Sequence, residues 1–459
     1  MTFSQMLNCF IDKRALRSCD ICDALQVKKA WLSKVRGGTL LPSEWSIVHE
    51  MAALLHLSEA EYHLLCDAYR KERFPREIAE MDDAMRRLFS FRIEKTVCPL
   101  PVQTCPTPEN GAVIGAEEIR ALIHSRMQTA KTVRIVEIPA LPESGTAMLR
   151  QVFSAPSASP VQWLILLDKT ADRAAHLHTA IDNLPFLFSA PAEVRCERID
   201  LTDYLSTAPF PVMLAIDSAV LLLHADCRTA LYLEGEAARA HISFFAARFE
   251  AAPLFILLHS SLTTFLELSN QYSACNAERV FSISKAPALV FSASTKDVQT
   301  HMIEQAQYVQ FMQMLQNLFS SASEINDIFC EDSIDEILYS KEYYEYGSNL
   351  STSISVEERR QIFWHTVAAV KSDPLFQYGM LRLSYPKNTN CLGINIWTDG
   401  RMLVMLNTES RYYLLTLHEP EIVQEIIRWL QIMQRYGVLL SKEASVRFCE
   451  EKLREAGVN

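Results

Sequence analysis

Glycine is scarce in this sequence, with twelve among 459 residues. No Gly-rich phosphate loop and no dinucleotide fingerprint appears, so the enzyme classes that cradle a nucleotide in such loops are not signalled. Long apolar runs are missing too. The longest, Pro253–Leu258, gives way at once to His259, Ser260 and Ser261, well short of the ~20 residues that span a bilayer. The opening MTFSQMLNCFIDKR lacks the charged-then-apolar layout of a signal peptide. Twelve cysteines are scattered without a dense disulfide framework. These absences predict a reduced, cytoplasmic protein with no membrane partner.

Catalytic constellations are also lacking. Twelve histidines stand singly, and His49-Glu50 has no second histidine to complete a zinc-protease helix. No serine occupies a nucleophile elbow. The cluster His224-Ala225-Asp226-Cys227 reads more readily as a hairpin turn than as a site. Glu331, Asp332, Asp335 and Glu336, with Tyr339, read as a solvated acidic helix face. The expectation is a protein that is not an enzyme, with no catalytic residues, no metal and no cofactor.

What is present is an ordinary globular composition, 49% hydrophobic and 22% charged. The length implies two to four domains. Net charge is −11, yet residues 1–40 hold seven basic side chains (Lys13, Arg14, Arg17, Lys28, Lys29, Lys34, Arg36) against three acidic ones (Asp12, Asp20, Asp23). Positive charge is gathered at the amino end, and the remainder is acidic.

Residues 1–70 read as five short helices. Phe3, Met6, Leu7, Phe10 and Ile11 make one apolar stripe at helical spacing. Ser18 is placed to cap a second helix that turns Ile21, Cys22 and Leu25 inward. A third, from about Lys28 to Arg36, buries Trp31, Leu32 and Val35, and Gly37-Gly38 can end it in a left-handed cap. Pro42-Ser43 opens a fourth helix with Trp45, Val48, Ala52 and Leu55 on one side. Ser58-x-x-Glu61 is a capping box for the fifth, with Leu57 and Tyr62 as its staple.

Two short helices with a tight turn between them, the second basic on its open face, have the layout of a helix-turn-helix. The run Ser18-x-Asp20-Ile21-Cys22-x-x-Leu25-x-Val27, then Leu32-Ser33-Lys34, Gly38 and Pro42-Ser43, resembles the phage-repressor-like (XRE-type) DNA-binding family over about residues 3–70. Gln26 stands where that family often has glycine, and Cys22 where it usually has alanine. The resemblance implies that the third helix enters the major groove of double-stranded DNA. Lys28, Lys29, Ala30, Ser33 and Lys34 would then face base edges, with Lys29 and Lys34 suited to guanine and Ala30 to a thymine methyl. Lys13, Arg14, Arg17 and Arg36 would meet phosphates. The competing reading is a solvated basic face on a small docking domain. Cys19-x-x-Cys22 lacks a second close pair for zinc, and helical spacing gives Cys22 a core role.

Beyond this head, residues 77–94 read as an amphipathic helix that extends it or pairs with its copy. Four prolines between 98 and 111 mark a linker. The body reads as α/β. Strands are expected at 133–138, 161–167 and 193–199, with helices near 117–128, 145–154 and 170–183. A meander over 211–233 leads to a helix at 235–250, and a second meander over 392–417 leads to a helix at 419–435, with Thr398-Asp399-Gly400 as a hairpin turn. This reads either as a weak internal repeat of two related lobes or as coincidence. Residues 253–270 and 297–319 also read as helices. The expected domains are 1–95, a linker at 96–111, 112–295 and 296–459, in an α+β multidomain chain. A DNA-binding transcriptional regulator fits this order, as a homodimer whose body senses a small-molecule or peptide effector, holds the dimer, or both. The alternative is an enzyme or partner-binding protein that uses the helix-turn-helix as an adaptor.

Overall fold

The computed structural model describes residues 1–92, 107–139, 141–153, 160–188, 192–259, 278–287, 322–342, 352–382, 391–407 and 412–458. They form fifteen helices and fourteen strands in a mixed α/β architecture. The helix expected at 297–319, the linker residues 96–106 and the domain boundary expected at 295/296 lie outside the described residues.

Six helices precede the first strand: α1 (Phe3–Arg14), α2 (Ser18–Ala24), α3 (Lys29–Arg36), α4 (Trp45–Leu54), α5 (Glu59–Arg73) and α6 (Arg76–Phe89). Their starts and stops are local chemistry. Thr2 with Gln5, and Ser58 with Glu61, close reciprocal capping boxes on α1 and α5. Ala15, Gln26, Gly38 and His56 each follow a helix in the left-handed region, with φ of 52°, 52°, 71° and 48°. Only at Gly38 is a side chain also blocked by packing, since a Cβ there would sit 2.9 Å from Ser4 Oγ.

The strands are β1 (Val113–Gly115), β2 (Val133–Glu137), β3 (Val161–Asp168), β4 (Ala192–Ile199), β5 (Val212–Ile216), β6 (Ala219–Leu223), β7 (Thr229–Leu233), β8 (Leu254–His259), β9 (Arg279–Ser284), β10 (Glu324–Cys330), β11 (Phe376–Leu381), β12 (Cys391–Trp397), β13 (Met402–Asn407) and β14 (Tyr412–Leu417). All belong to one sheet, ordered β1-β7-β6-β5-β2-β3-β4-β8-β14-β13-β12-β9-β10-β11. The stretch expected as a helix from 253 corrects to a strand over 254–259. There β8 lies in the middle of the sheet between β4 and β14, antiparallel to both. A strand covered on both faces reads as a continuous apolar run, without the alternation that marks a half-exposed one.

The sheet falls into two sets of seven with one topology. In the first, β2, β3 and β4 are parallel, β5-β6-β7 meander back from β2, and β1 pairs with β7. In the second, β9, β10 and β11 are parallel, β12-β13-β14 meander back from β9, and β8 pairs with β14. Registers agree as well. The amide of Asp217 donates to the Thr132 carbonyl where β5 leaves β2, as the amide of Thr398 donates to that of Arg279 where β12 leaves β9. Left-to-right order is the same in both sets, but every strand of the second runs opposite to its counterpart. This is a half-turn about an axis in the sheet plane, across the strands. The helix layer on one face of the first set therefore reappears on the other face of the second.

Helices α7 (Ala116–Met127), α8 (Glu143–Phe153), α9 (Arg173–Leu187), α10 (Leu201–Thr207) and α11 (Gly235–Ala251) accompany the first set. Helices α12 (Asp332–Tyr339), α13 (Val356–Ser372), α14 (Pro420–Arg435) and α15 (Lys442–Glu455) accompany the second. On α13, the guanidiniums of Arg359 and Arg360 donate to carbonyls of Ile337, Leu338 and Ser340, closing the C-terminal end of α12.

The half-turn puts α9 of one set beside α14 of the other, and α6 packs against both. Ile78, Met81, Met85, Leu88 and Phe89 of α6 are buried there, within the same chain. Over its described residues, the stripe expected at 77–94 is thus covered by the body of the same chain. The Phe74 and Tyr436 rings lie 5.3 Å apart, Arg73 sits 5.0 Å over Tyr436, and Phe91 stacks on Phe188 at 5.9 Å. Arg428 reaches Glu77 at 3.6 Å, and Arg87 pairs with Asp182. The six-helix head is docked on the body at the junction of the two strand sets.

Candidate nucleic-acid interface

Helix α3 is short and rests on α1 and α2. Leu32 and Val35 point into the core, at 1% and 0% exposure, and Trp31 is half-buried against it. The opposite side carries Lys29, Ala30, Ser33 and Lys34, with Lys28 at the N-cap, and all five are exposed. Among the described residues, no carboxylate pairs with Lys28, Lys29 or Lys34. Three ammonium groups therefore stand on one open surface, with Lys28 and Lys29 at the helix N-terminus, where backbone N–H groups add positive potential, and Lys34 in the last turn.

The four cations expected at phosphates are arranged differently. Arg36 Nε donates to Asn8 Oδ1 at 2.7 Å and one of its Nη groups donates to Ser18 Oγ at 2.9 Å, with Asp12 at 3.9 Å. It ties α3 to α1 and α2. Arg14 donates to the Leu55 carbonyl at 3.1 Å, the His56 carbonyl at 3.3 Å and Glu61 at 2.8 Å, holding the end of α4. Lys13 meets the other oxygen of Glu61 at 2.6 Å. These two cations and the capping bond from Ser58 hold the Glu61 carboxyl down at about 2, well below the ordinary carboxylate range. Arg17 forms a two-point bridge to Asp20 at 2.9 and 3.0 Å, which lowers the Asp20 carboxyl. The sequence shows which residues are basic; the structure separates three open lysines from four cations with acidic or carbonyl partners.

Ser18 does not cap α2. Arg17 is the N-cap, with no side-chain cap bond, and the Ser18 hydroxyl accepts from Arg36 instead. Cys22 is buried at 7% exposure, Cys19 lies half-buried beside Asp20 at 3.5 Å, and both are free thiols. Among the described residues no group of His, Cys, Asp and Glu is arranged to hold a metal ion, and no helix is long and apolar enough to cross a membrane. His224 to Cys227 form the turn between β6 and β7, with Cys227 at φ 54°.

One ionisable residue of the body escaped the sequence reading. Glu137 ends β2 with 4% exposure, and its carboxyl group accepts from the Asn183 amide at 3.5 Å. Burial pushes its carboxyl up to about 8, so the side chain is largely protonated at neutral pH. A glutamate closing an apolar strand carries no sequence mark of this.

No protein-family model matches the sequence, and no curated protein matches it. Among solved structures, phosphatidylserine synthase of Haemophilus influenzae Rd KW20 aligns over 82% of this chain and 98% of its own, at 9% identity and a TM-score of 0.25. Polyphosphate kinase from Porphyromonas gingivalis aligns over 69% of this chain and 49% of its own, at 9% identity and a TM-score of 0.20. The archaeal chromatin protein TrmBL2, described with a novel mode of DNA binding, aligns over 45% of this chain and 66% of its own, at 13% identity and a TM-score of 0.22. Superpositions this loose assign neither fold nor function.

Proposed function

We propose that this chain is a sequence-specific DNA-binding regulator. Its head acts as a helix-turn-helix, and its body, two related α/β units, senses an effector, holds a dimer, or both. The observation that carries the reading is the outward face of α3, where Lys28, Lys29 and Lys34 stand exposed beside Ala30 and Ser33. Lys13, Arg14, Arg17 and Arg36 are tied to partners. In this reading Lys29 and Lys34 donate to base edges in the major groove, and Ala30 meets a thymine methyl. The acidic body stays off the duplex. Pairing would run through the body, because the α6 stripe is already covered. Two heads would then meet half-sites about 34 Å apart.

The test is binding of the full chain to duplex DNA as salt is raised from about 50 to 200 mM. Each lost base contact in Lys29→Ala or Lys34→Ala costs about 1–3 kcal/mol and relaxes sequence preference. If the double variant binds every duplex as the parent does, the DNA-binding reading fails. Sedimentation at micromolar concentration checks the pairing, and a monomer both free and on DNA would defeat the dimer alone.

A further inference from the structure

In the first strand set a cleft of about 740 Å³ opens between α10, α11 and the sheet. Its floor is a cross-strand row, Val136 on β2, Met213 on β5 and Leu222 on β6. Phe210, Phe244 and Phe245 supply aromatic walls. The cleft lies where β2 and β4 reach their C-terminal ends, the side from which α/β sheets commonly take ligands.

The second strand set offers an internal comparison. The registers place Ile283, Ile394 and Val404 where Val136, Met213 and Leu222 stand. All three are fully buried, in one core with Ile426 and Leu430 of α14. The helix in the place of α14 is α11, and it is alanine-rich. Only Ala238, Phe245 and Phe249 are buried on α11, against seven residues on α14. Among the described residues, the same layer is packed in the second strand set and open in the first. Substituting small residues along one helix is how a hollow of this kind is made, and its volume matches a small-molecule site.

The wall also carries polar groups, and most are already engaged. Arg248 Nε donates to Glu197 at 2.7 Å, so the two charges in the wall cancel. The Tyr204 hydroxyl donates to the Pro211 carbonyl at 3.2 Å. His241 is the lining side chain with no hydrogen-bond partner among the described residues. The Arg248–Glu197 charges are already matched to each other, while the His241 imidazole is left to make a hydrogen bond to a ligand.

We propose that this cleft binds a neutral, largely apolar small molecule whose hydroxyl or carbonyl group meets His241. The site would serve as the effector pocket of the regulator. Its binding is measured without DNA, however, so this inference and the DNA-binding reading stand or fall separately.

The experiment titrates the full chain with Nile red, an uncharged apolar dye, and then displaces it with 1-decanol or decanoate. Saturable fluorescence with one site per chain is expected, with decanol displacing at lower concentration than decanoate. Ala240→Trp, at an exposed position on the rim, and Leu222→Trp, in the floor, should each abolish the signal. Cooperative unfolding of both variants checks that they remain folded. His241→Leu should weaken decanol about three- to tenfold, the range of one hydrogen bond. The proposal is overturned by an unsaturable signal, by undiminished binding in whichever tryptophan variant stays folded, or by decanoate displacing as well as decanol.

Discussion

Arg36 and Asn8 are joined in both directions. Arg36 Nε donates to Asn8 Oδ1 at 2.7 Å, and Asn8 Nδ2 donates back to the Arg36 carbonyl at 2.9 Å. The pair fixes the last turn of α3 against α1, so a residue that composition alone would send to a phosphate sets the position of the helix.

Asn8→Ala should therefore lower head stability, by about 1–3 kcal/mol, because it leaves a charged donor and a carbonyl without their partner. Chemical denaturation checks this. If Arg36 instead met phosphates, Asn8→Ala would leave stability unchanged.

Glu61 makes the head acid-sensitive. Its carboxyl is held at about 2 when folded, against an ordinary 4.5. A depressed folded value contributes stability that is present above the unfolded value and lost as pH falls through the folded one. The stability of the parent should thus drop between about pH 4.5 and 2, and Glu61→Gln should flatten that part of the profile.

Glu137 acts in the opposite sense. Its folded value near 8 exceeds the unfolded one, so the native state binds the extra proton. That contribution is complete below about pH 4.5 and is lost as pH rises through 8, with a slope approaching about 1.4 kcal/mol per pH unit. Glu137→Gln keeps the shape and removes the charge. Denaturation at pH 5 and pH 9 should show a smaller loss of stability with rising pH in the variant than in the parent. Parallel profiles would remove Glu137 from the account.

Gln26 has φ 52°, a conformation in which a Cβ is unfavourable. Gln26→Gly should stabilise the head by about 0.5–1 kcal/mol, where glycine in a helix interior would cost that much. A lower denaturation midpoint for the variant would contradict this.

Much of the head was legible because its determinants are local. Ser58 and Glu61, Gly38, and the buried spacing of Trp45, Val48, Ala52 and Leu55 all act within one or two turns. The partners of Arg14 and Arg36 were not legible, since Glu61 and Asn8 lie 47 and 28 residues away. In the body both meanders could be read, because Asp217-Ser218 and Asp399-Gly400 punctuate them. Strand β8 reads as a helix from sequence, since its apolar run Leu254–Leu258 has no alternation to measure. Strand β10 went unread because Asn326 and Asp327 interrupt its apolar pattern. The cleft depends on which layer is hollow, and no single segment carries that information.

The topology also bears on how the sheet ends. Within the chain, β4 is completed by β8, and β8 occupies the place that β1 holds in the first set. The two outermost strands, β1 and β11, therefore present the same kinds of edge that join at the centre, and an end-to-end pairing of such edges does not close. Two features oppose it. Strand β1 has three residues where β8 has six. At the far side, residues 438–440 lie against β11, with the Arg382 amide donating to Val438 at 2.8 Å and the Leu440 amide to Met380 at 3.0 Å. The chain joins this edge once, internally, and leaves little of it to a neighbour.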